Sequence, residues 1–348
     1  MSAGDVPSAS LKVAGITEVV ISSGLPDPIL PVRENRSRAV ILTQPAATDL
    51  ALDISRRLTA SGLSCEVFGL PDREEAKTLG VASSIYEALV RFGLSRYDTV
   101  VGVGGGSVTD LAGYVAGTWM RGVESVYIPT TLLGAVDASI GGKTGVNIGG
   151  KNLVGVFWHP TRVVIDVERL GRLPTYLLRE GMAEAYKAGL LGDRALAALI
   201  AEKGARAPLA DVVTRAIRVK ADIVERDPHE QGDRAFLNLG HTIGHAIEYA
   251  SSLSHGESVS LGLVAAMRIS EKLLGFPRAQ EVAATLEAIG LPIEVRGLEL
   301  ARVLDLLGHD KKRDSGGARM VLLADIEEPV LTHVDPADIE LGLAAIGF

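Results

Sequence analysis

Residues Thr99–Met120 read TVVGVGGGSVTDLAGYVAGTWM, an apolar β-branched run that passes through three consecutive glycines into a helical stretch. The pattern predicts a strand over Thr99–Val103 and a helix over Val108–Met120, which is the opening half of a βαβ unit. Glycines at Gly104, Gly105 and Gly106 would let the backbone approach a pyrophosphate, and the N-terminus of the following helix, with Ser107 at its mouth, offers free N–H groups and a positive dipole end. Asp110 would cap that helix or sit in its first turn. The run is not a G-x-G-x-x-G fingerprint, so a tight strand-to-helix turn without a ligand remains an equal reading.

Working outward, short β-branched runs recur at Val19–Ser22, Ala39–Thr43, Cys65–Phe68, Ser125–Ile128 and Val163–Asp166, alternating with helical stretches such as Ala47–Ala60 and Ala76–Phe92. That alternation specifies a mainly parallel, Rossmann-like α/β sheet. Beyond about Pro174 the β-branched runs stop, and amphipathic helices are expected over Leu177–Leu191, Arg194–Lys203, Leu209–Val224, Leu239–Tyr249, Ser258–Leu274 and Ala279–Ile289. The expectation is therefore an α/β domain over residues 1–175 followed by an all-α domain over residues 176–348.

At 348 residues the chain exceeds one ordinary core, and 47% apolar against 22% charged residues is the balance of a compact fold, not a disordered one. A net charge of −8 argues against a general nucleic-acid surface while leaving local basic pockets open. The single cysteine, Cys65, reads as a small filler in a strand and fits a reducing compartment. The first residues carry neither a basic nor an apolar targeting region, and no apolar run is long enough for a membrane, so a cytoplasmic protein is expected.

Two stretches carry chemistry. Leu237–Gly256, LNLGHTIGHAIEYASSLSHG, holds three of the seven histidines. A helix over Leu239–Tyr249 would place His241 and His245 on one face, with His255 beyond it in a serine-rich loop. This suits a catalytic metal site completed from another segment, although His pairs at this spacing are more often surface or core residues than ligands, and no H-E-x-x-H is present. The second stretch gathers Arg121, Lys143, Lys151 and Asn152 on glycine-rich backbone, suited to an anionic substrate. Gly142-Lys143-Thr144 is not a P-loop, since the leading glycine is replaced by Asp137 and Ala138.

These segments, GGGSVTDLAGYVAGTWMRG, IPTTLLGAVDASIGGKTGVN, GKNLVGVFWHP, GMAEAYKAG, LNLGHTIGHAIE, LSHGESVSLG and GHDKKRD, occur in the order and spacing of the 3-dehydroquinate synthase family, which the chain resembles from about residue 65 onward. The lysine-rich GGKT and GKN segments separate it from iron-dependent alcohol and glycerol dehydrogenases. They separate it less well from sister cyclases that act on sedoheptulose 7-phosphate or glucose 6-phosphate. Departures lie at Ala76, at Arg172 and in the short loop 147–151.

The resemblance implies a dehydroquinate synthase-like fold, NAD and Zn2+ or Co2+ as cofactors, and a homodimer. It implies conversion of 3-deoxy-D-arabino-heptulosonate 7-phosphate, a small sugar-acid phosphate, into 3-dehydroquinate in the shikimate pathway. It supplies Glu184 as the third metal ligand beside His241 and His255, and gives His245 a catalytic or phosphate-contacting role. Arg121, Asp137, Lys143, Lys151, Asn152, Lys187, Lys220, Glu230, Arg234, Asn238 and Lys311 match the family's other site positions. By residue type alone, Lys187 and Lys220 on helices would be solvated charges. On the NAD side the resemblance implies Asp72, Glu74, Lys77, Gly104, Gly105, Gly106, Ser107, Asp110, Thr130 and Thr131, with Lys143, Lys151 and Asn152 adjoining.

Overall fold

The structure, a computed structural model, describes residues 9–311 and 318–348, with the side chains of 308–311 left aside. It divides into two compact units, Met1–Leu173 and Pro174–Phe348. Among the described residues no helix is long and apolar enough to cross a membrane.

The first unit is built on nine strands: β1 (Ala9–Val13), β2 (Thr17–Ser22), β3 (Arg38–Thr43), β4 (Ser64–Gly69), β5 (Thr99–Gly104), β6 (Glu124–Pro129), β7 (Lys143–Val146), β8 (Val154–Phe157) and β9 (Arg162–Asp166). Seven of them form one sheet in the order β1-β2-β9-β6-β5-β3-β4, parallel except for β1 against β2. The central strands are buried on both faces, which is why they appear in the sequence as continuous apolar runs. Helix α1 (Thr48–Ala60) covers one face through Leu50, Ile54 and Leu58 against Ile41, Val101 and Val126.

The chain leaves β3 through α1 to β4 on one side, then passes through α2 (Leu79–Phe92) to β5 on the other side of β3. The order of connection reverses between β3 and β5, and in open α/β sheets that reversal opens the ligand crevice at the strands' carboxyl ends. The glycine turn at the end of β5 lies at that point. It leads into α3 (Gly106–Thr118), which begins two residues before the sequence expectation, so Asp110 falls in the second turn and not at the cap. The helical stretch expected from Ala76 is likewise interrupted: a 3-10 turn covers Arg73–Ala76, and α2 starts only after the capping side chain of Thr78. A four-residue helix, α4 (Val167–Leu170), is capped by Asp166.

Asp98 braces the opposite, amino-terminal edge of the sheet. Its fully buried carboxylate accepts the backbone N–H of Ser37 (2.9 Å), Arg38 (2.7 Å) and Ser95 (2.7 Å) and the Ser95 hydroxyl (2.7 Å), joining the starts of β3 and β5. Burial pushes its pKa up, but the hydrogen bonds from Ser95, Ser37 and Arg38 outweigh it and leave the group below the ordinary value. The carboxylate therefore stabilises the fold fully above its unfolded pKa, and the contribution is lost as pH falls through the lower folded pKa. Asp98→Ala should cost about 2–4 kcal/mol near pH 7 in a urea titration. The gap from wild type should begin to narrow below about pH 4 and shrink further as pH falls through the lower folded pKa; a gap unchanged down to pH 3 would refute the account.

The second unit contains α5 (Thr175–Gly192), α6 (Arg194–Lys203), α7 (Leu209–Arg226), α8 (His241–Ala250), α9 (His255–Leu274), α10 (Ala279–Ile289), α11 (Leu300–Lys311) and α12 (Pro336–Ala344). It is not all-α: β10 (Ala318–Leu323) and β11 (Pro329–Val334) form an antiparallel hairpin. The runs RMVLL and PVLTHV carried the strand signal, bounded by a proline and an acidic turn. Both runs are short and lie between the helical stretches α11 and α12, whose periodicity outweighs them in the sequence.

Candidate metal centre and dinucleotide turn

In the second unit, three helices deliver one ligand each to a common point. Glu184 lies on the buried stretch of α5, His241 opens α8, and His255 is the first residue of α9. The serine-rich sequence predicts a loop at His255, and the structure instead begins a helix there. Ser254 and Glu257 form a reciprocal capping box that starts α9 there, a signature present in the sequence as Ser-His-Gly-Glu.

Two close backbone approaches set the angles between these helices. A Cβ on Gly262 of α9 would lie 1.9 Å from the Gly240 carbonyl oxygen at the head of α8, and one on Gly256 would lie 2.4 Å from Cα of Glu180 in α5. Only glycine permits α9 to lie against both neighbours, and this closeness brings the three side chains together.

Glu184 Oε1 lies 3.2 Å from His255 Nε2 and 3.4 Å from His241 Nε2, and a donor atom from each residue falls within 4.8 Å of the others. The far nitrogens are held too. His241 Nδ1–H donates to the Leu239 carbonyl at 3.1 Å, and His255 Nδ1–H donates to Glu248 at 3.3 Å. With Nδ1 as the outward donor in each ring, Nε2 is the nitrogen turned towards Glu184, the usual arrangement of a metal-binding histidine. Glu248 was not among the expected site residues; its signal was its place one turn beyond His245 in an otherwise apolar helix.

The electrostatics also suit a cation. Burial opposes charge on Glu184, yet Lys187, His241 and the two imidazole hydrogen bonds hold its carboxyl well below the usual range. Burial also presses the His255 imidazole down, but its bonds to Glu184 and Glu248 overcome this and raise it to about 10. Without an ion, a proton on His255 joins it to Glu184, and a divalent ion bound at this point would take that proton's place. These three residues fit a Zn2+ or Co2+ ion with a position left for water or substrate.

His245 stands beside the trio and outside it, its ring centroid 5.0 Å from that of His241. Burial and the two neighbouring imidazoles lower its pKa to about 4, which leaves it neutral near pH 7. His241, His245, Asn238 and Thr242 line a cavity of about 350 Å³, closed on one side by Arg319, Val321 and Leu331 of the hairpin. Lys187 and Lys220 are buried, not solvated. Lys187 pairs with Glu184 and donates to the Leu237 carbonyl at 2.8 Å. Glu230 accepts from Asn238 at 3.3 Å, and Arg234, 1% exposed, donates to the Pro228 carbonyl at 2.7 Å. The side chain of Lys311 lies outside the described residues.

In the first unit a polar network surrounds the glycine turn. Lys77, buried to 3% exposure, donates to Asp110 at 2.6 Å and to Asn152. Glu74 accepts from Ser107 at 2.8 Å and from Asn147 at 2.9 Å. Burial raises the Glu74 carboxyl, but Lys77, Asn147, Ser107 and Lys151 outweigh it and lower the group overall. For Asp110 burial prevails over Lys77, and its carboxyl is raised. The network joins residues 74–77, the start of α3 and the hairpin of β7 and β8. Thr130 donates its N–H to the Gly104 carbonyl at 2.8 Å, and the Thr131 hydroxyl accepts the Gly134 N–H at 3.0 Å.

The glycines of the turn have a packing role. A Cβ on Gly104 would lie 2.4 Å from a Val108 methyl, and one on Gly106 would lie 3.1 Å from Ala138 Cβ. Gly105, the residue before the helix, offers no capping side chain, which leaves the helix's first N–H groups available to an anion.

Not every expected residue joins this network. Asp72 is exposed and lies 4.0 Å from Arg73. Arg121 follows the carboxyl end of α3, roughly 20 Å of helix away from the glycine turn. Lys143 opens β7 and Asp137 lies in the π-helical turn Gly134–Ala138, so the basic stretch expected on flexible backbone is partly a regular hairpin.

A model of the 3-dehydroquinate synthase N-terminal region matches residues 67–180, and a model of the C-terminal region matches residues 181–313. The chain is 38% identical over 341 residues to the 3-dehydroquinate synthase of Corynebacterium jeikeium (strain K411), covering 94% of this chain and 92% of that one. Among solved structures, 2-deoxy-scyllo-inosose synthase complexed with carbaglucose-6-phosphate, NAD+ and Co2+ superposes with a TM-score of 0.87 at 24% identity, covering 97% of this chain and 99% of that one. 2-Epi-5-epi-valiolone synthase from Streptomyces hygroscopicus subsp. jinggangensis, with NAD+ and Zn2+ bound, gives 0.85 at 25% identity, covering 94% and 96%.

Proposed function

This chain belongs to the 3-dehydroquinate synthase family, and from that premise we propose that it is a phosphate-eliminating lyase that converts 3-deoxy-D-arabino-heptulosonate 7-phosphate into 3-dehydroquinate and phosphate. The observation that carries the proposal is the Glu184, His241 and His255 trio at the edge of a cavity shared with His245 and Asn238. We assign NAD binding to residues 1–175 and metal and substrate binding to residues 176–348. The family resemblance supports a homodimer in the cytoplasm.

Bound to these two sites, NAD+ supplies a reversible hydride acceptor and the divalent ion supplies Lewis acidity at the hydroxyl to be oxidised. A ketone at that carbon acidifies the neighbouring C–H, so phosphate can leave by β-elimination before the carbonyl is reduced again and the opened ring closes by an aldol step. The chain's own groups prepare this. Lys187 keeps Glu184 ionised, and the Leu239 carbonyl and Glu248 hold the two Nδ1 protons outward. His245, neutral near pH 7, can accept a proton or a hydrogen bond from substrate in the cavity. Lys77 and Asp110 order the glycine turn, and Lys143, Lys151, Asn152 and Arg234 are the groups we assign to substrate anions.

Phosphate release from the heptulosonate substrate tests the reading. NAD+ well below the substrate concentration should support full conversion with no NADH accumulating; stoichiometric NADH would place the chain with the dehydrogenases. Sedoheptulose 7-phosphate, which lacks the carboxylate, should be disfavoured about a hundredfold or more, the effect of leaving one partly buried charge unpaired. Equal kcat/KM on the two sugars would favour a sister cyclase.

A further inference from the structure

The hairpin of β10 and β11 places an arginine at the cavity. In β10, Arg319 and Val321 are two residues apart and so share a face, and Leu331 of β11 stands directly opposite Val321. All three line the cavity of about 350 Å³ that also exposes Asn238, His241 and His245. The two aliphatic side chains make an apolar wall, and the exposed Arg319 stands beside it. Among the described residues lining this cavity, Arg319 alone carries a permanent charge.

Its environment contrasts with that of two other arginines near the same hairpin. Arg194 lies 3.3 Å from Asp325, and Arg278 pairs with the same carboxylate, so both are structural ion pairs. Outside the hairpin's backbone ladder, the Arg319 side chain makes no hydrogen bond or ion pair among the described residues. A guanidinium that faces a cavity with no carboxylate of its own presents a planar fork of donors, the arrangement that binds carboxylate or phosphate in a bidentate way.

Resting on the function proposed above, we propose that Arg319 is a substrate-binding residue that grips an anionic group of the sugar-acid phosphate, its carboxylate or its phosphate, on the hairpin side of the metal. No family-matched position assigns this residue. Binding there acts on substrate recognition and not on the redox step, so its loss should raise KM with little change in kcat.

The test compares metal- and NAD-loaded wild type with Arg319→Gln and Arg319→Lys. The glutamine variant should raise KM for the heptulosonate substrate about ten- to hundredfold, with metal content, NAD affinity and Tm unchanged, and lysine should recover part of the loss. Calorimetric titrations with inorganic phosphate and with quinate identify the group held. A weakened phosphate isotherm assigns Arg319 to the phosphate; a weakened quinate isotherm, with reduced discrimination against sedoheptulose 7-phosphate, assigns it to the carboxylate. Wild-type KM together with wild-type affinity for both probes in Arg319→Gln would overturn the proposal. If wild type fails to turn the heptulosonate over, the proposed function falls, and the two isotherms still decide the role of Arg319.

Discussion

His255→Ala should leave the purified protein almost free of metal after dialysis, with Zn2+ or Co2+ affinity reduced by more than about a hundredfold. Losing only an outer hydrogen-bond partner of a metal ligand already costs about ten- to hundredfold, and this substitution removes the ligand together with the proton holder that Glu248 supports. Glu248→Ala should show the smaller, outer-partner loss, and Glu248→Gln less again because the amide oxygen still accepts from Nδ1. Glu184→Ala should be worse for the fold than either, since it strands the buried Lys187 ammonium and should cost about 3–5 kcal/mol in addition to the metal. Metal content by elemental analysis and the visible spectrum of the Co2+ form read these effects directly. Full metal content in His255→Ala would remove the trio as the ligand set.

Gly262→Ala should destabilise the second unit by about 3 kcal/mol or more and weaken metal binding with it. The new methyl would stand 1.9 Å from the Gly240 carbonyl oxygen and 2.8 Å from the Gly244 nitrogen. Both are backbone atoms, so no side-chain rotation relieves the overlap, and α8 and α9 must separate. His241 heads one of these helices and His255 the other, so separation widens the ligand set. Gly80→Ala provides the opposite sign. That glycine lies in the first turn of α2 with nothing closer than 3.8 Å to its would-be Cβ, and alanine there should stabilise by up to about 1 kcal/mol. Chemical denaturation of the two variants with metal titration decides the matter: a wild-type midpoint and affinity for Gly262→Ala would show that this contact does not set the site.

The local alternation of apolar runs and helical stretches was enough to identify the parallel sheet. Strands such as Thr99–Gly104 and Arg162–Asp166 are buried on both faces or nearly so, and burial of that kind writes a continuous apolar run into the sequence. The weaker strands escaped notice. β1 alternates at the sheet edge, and β7 and β8 are short and interrupted by glycine, so neither presents a long apolar run. The i,i+4 spacing of His241 and His245 was legible because helix geometry is local, and the rings do lie 5.0 Å apart.

What the sequence determined by itself was the class of the long, buried elements, the glycine turn after β5 and, through the family motifs, the three residues proposed to hold the metal. The tertiary structure decided which of these meet. That Glu184 meets His241 and His255, that Lys187 is buried against the Leu237 carbonyl instead of solvated, and that Arg319 reaches the cavity all depend on backbones tens of residues apart approaching to within contact. Hydrophobic periodicity records how far each residue is buried but not against what. A glycine such as Gly262 looks the same in sequence whether it frees a turn or admits a neighbouring carbonyl, and only the packed helices distinguish the two.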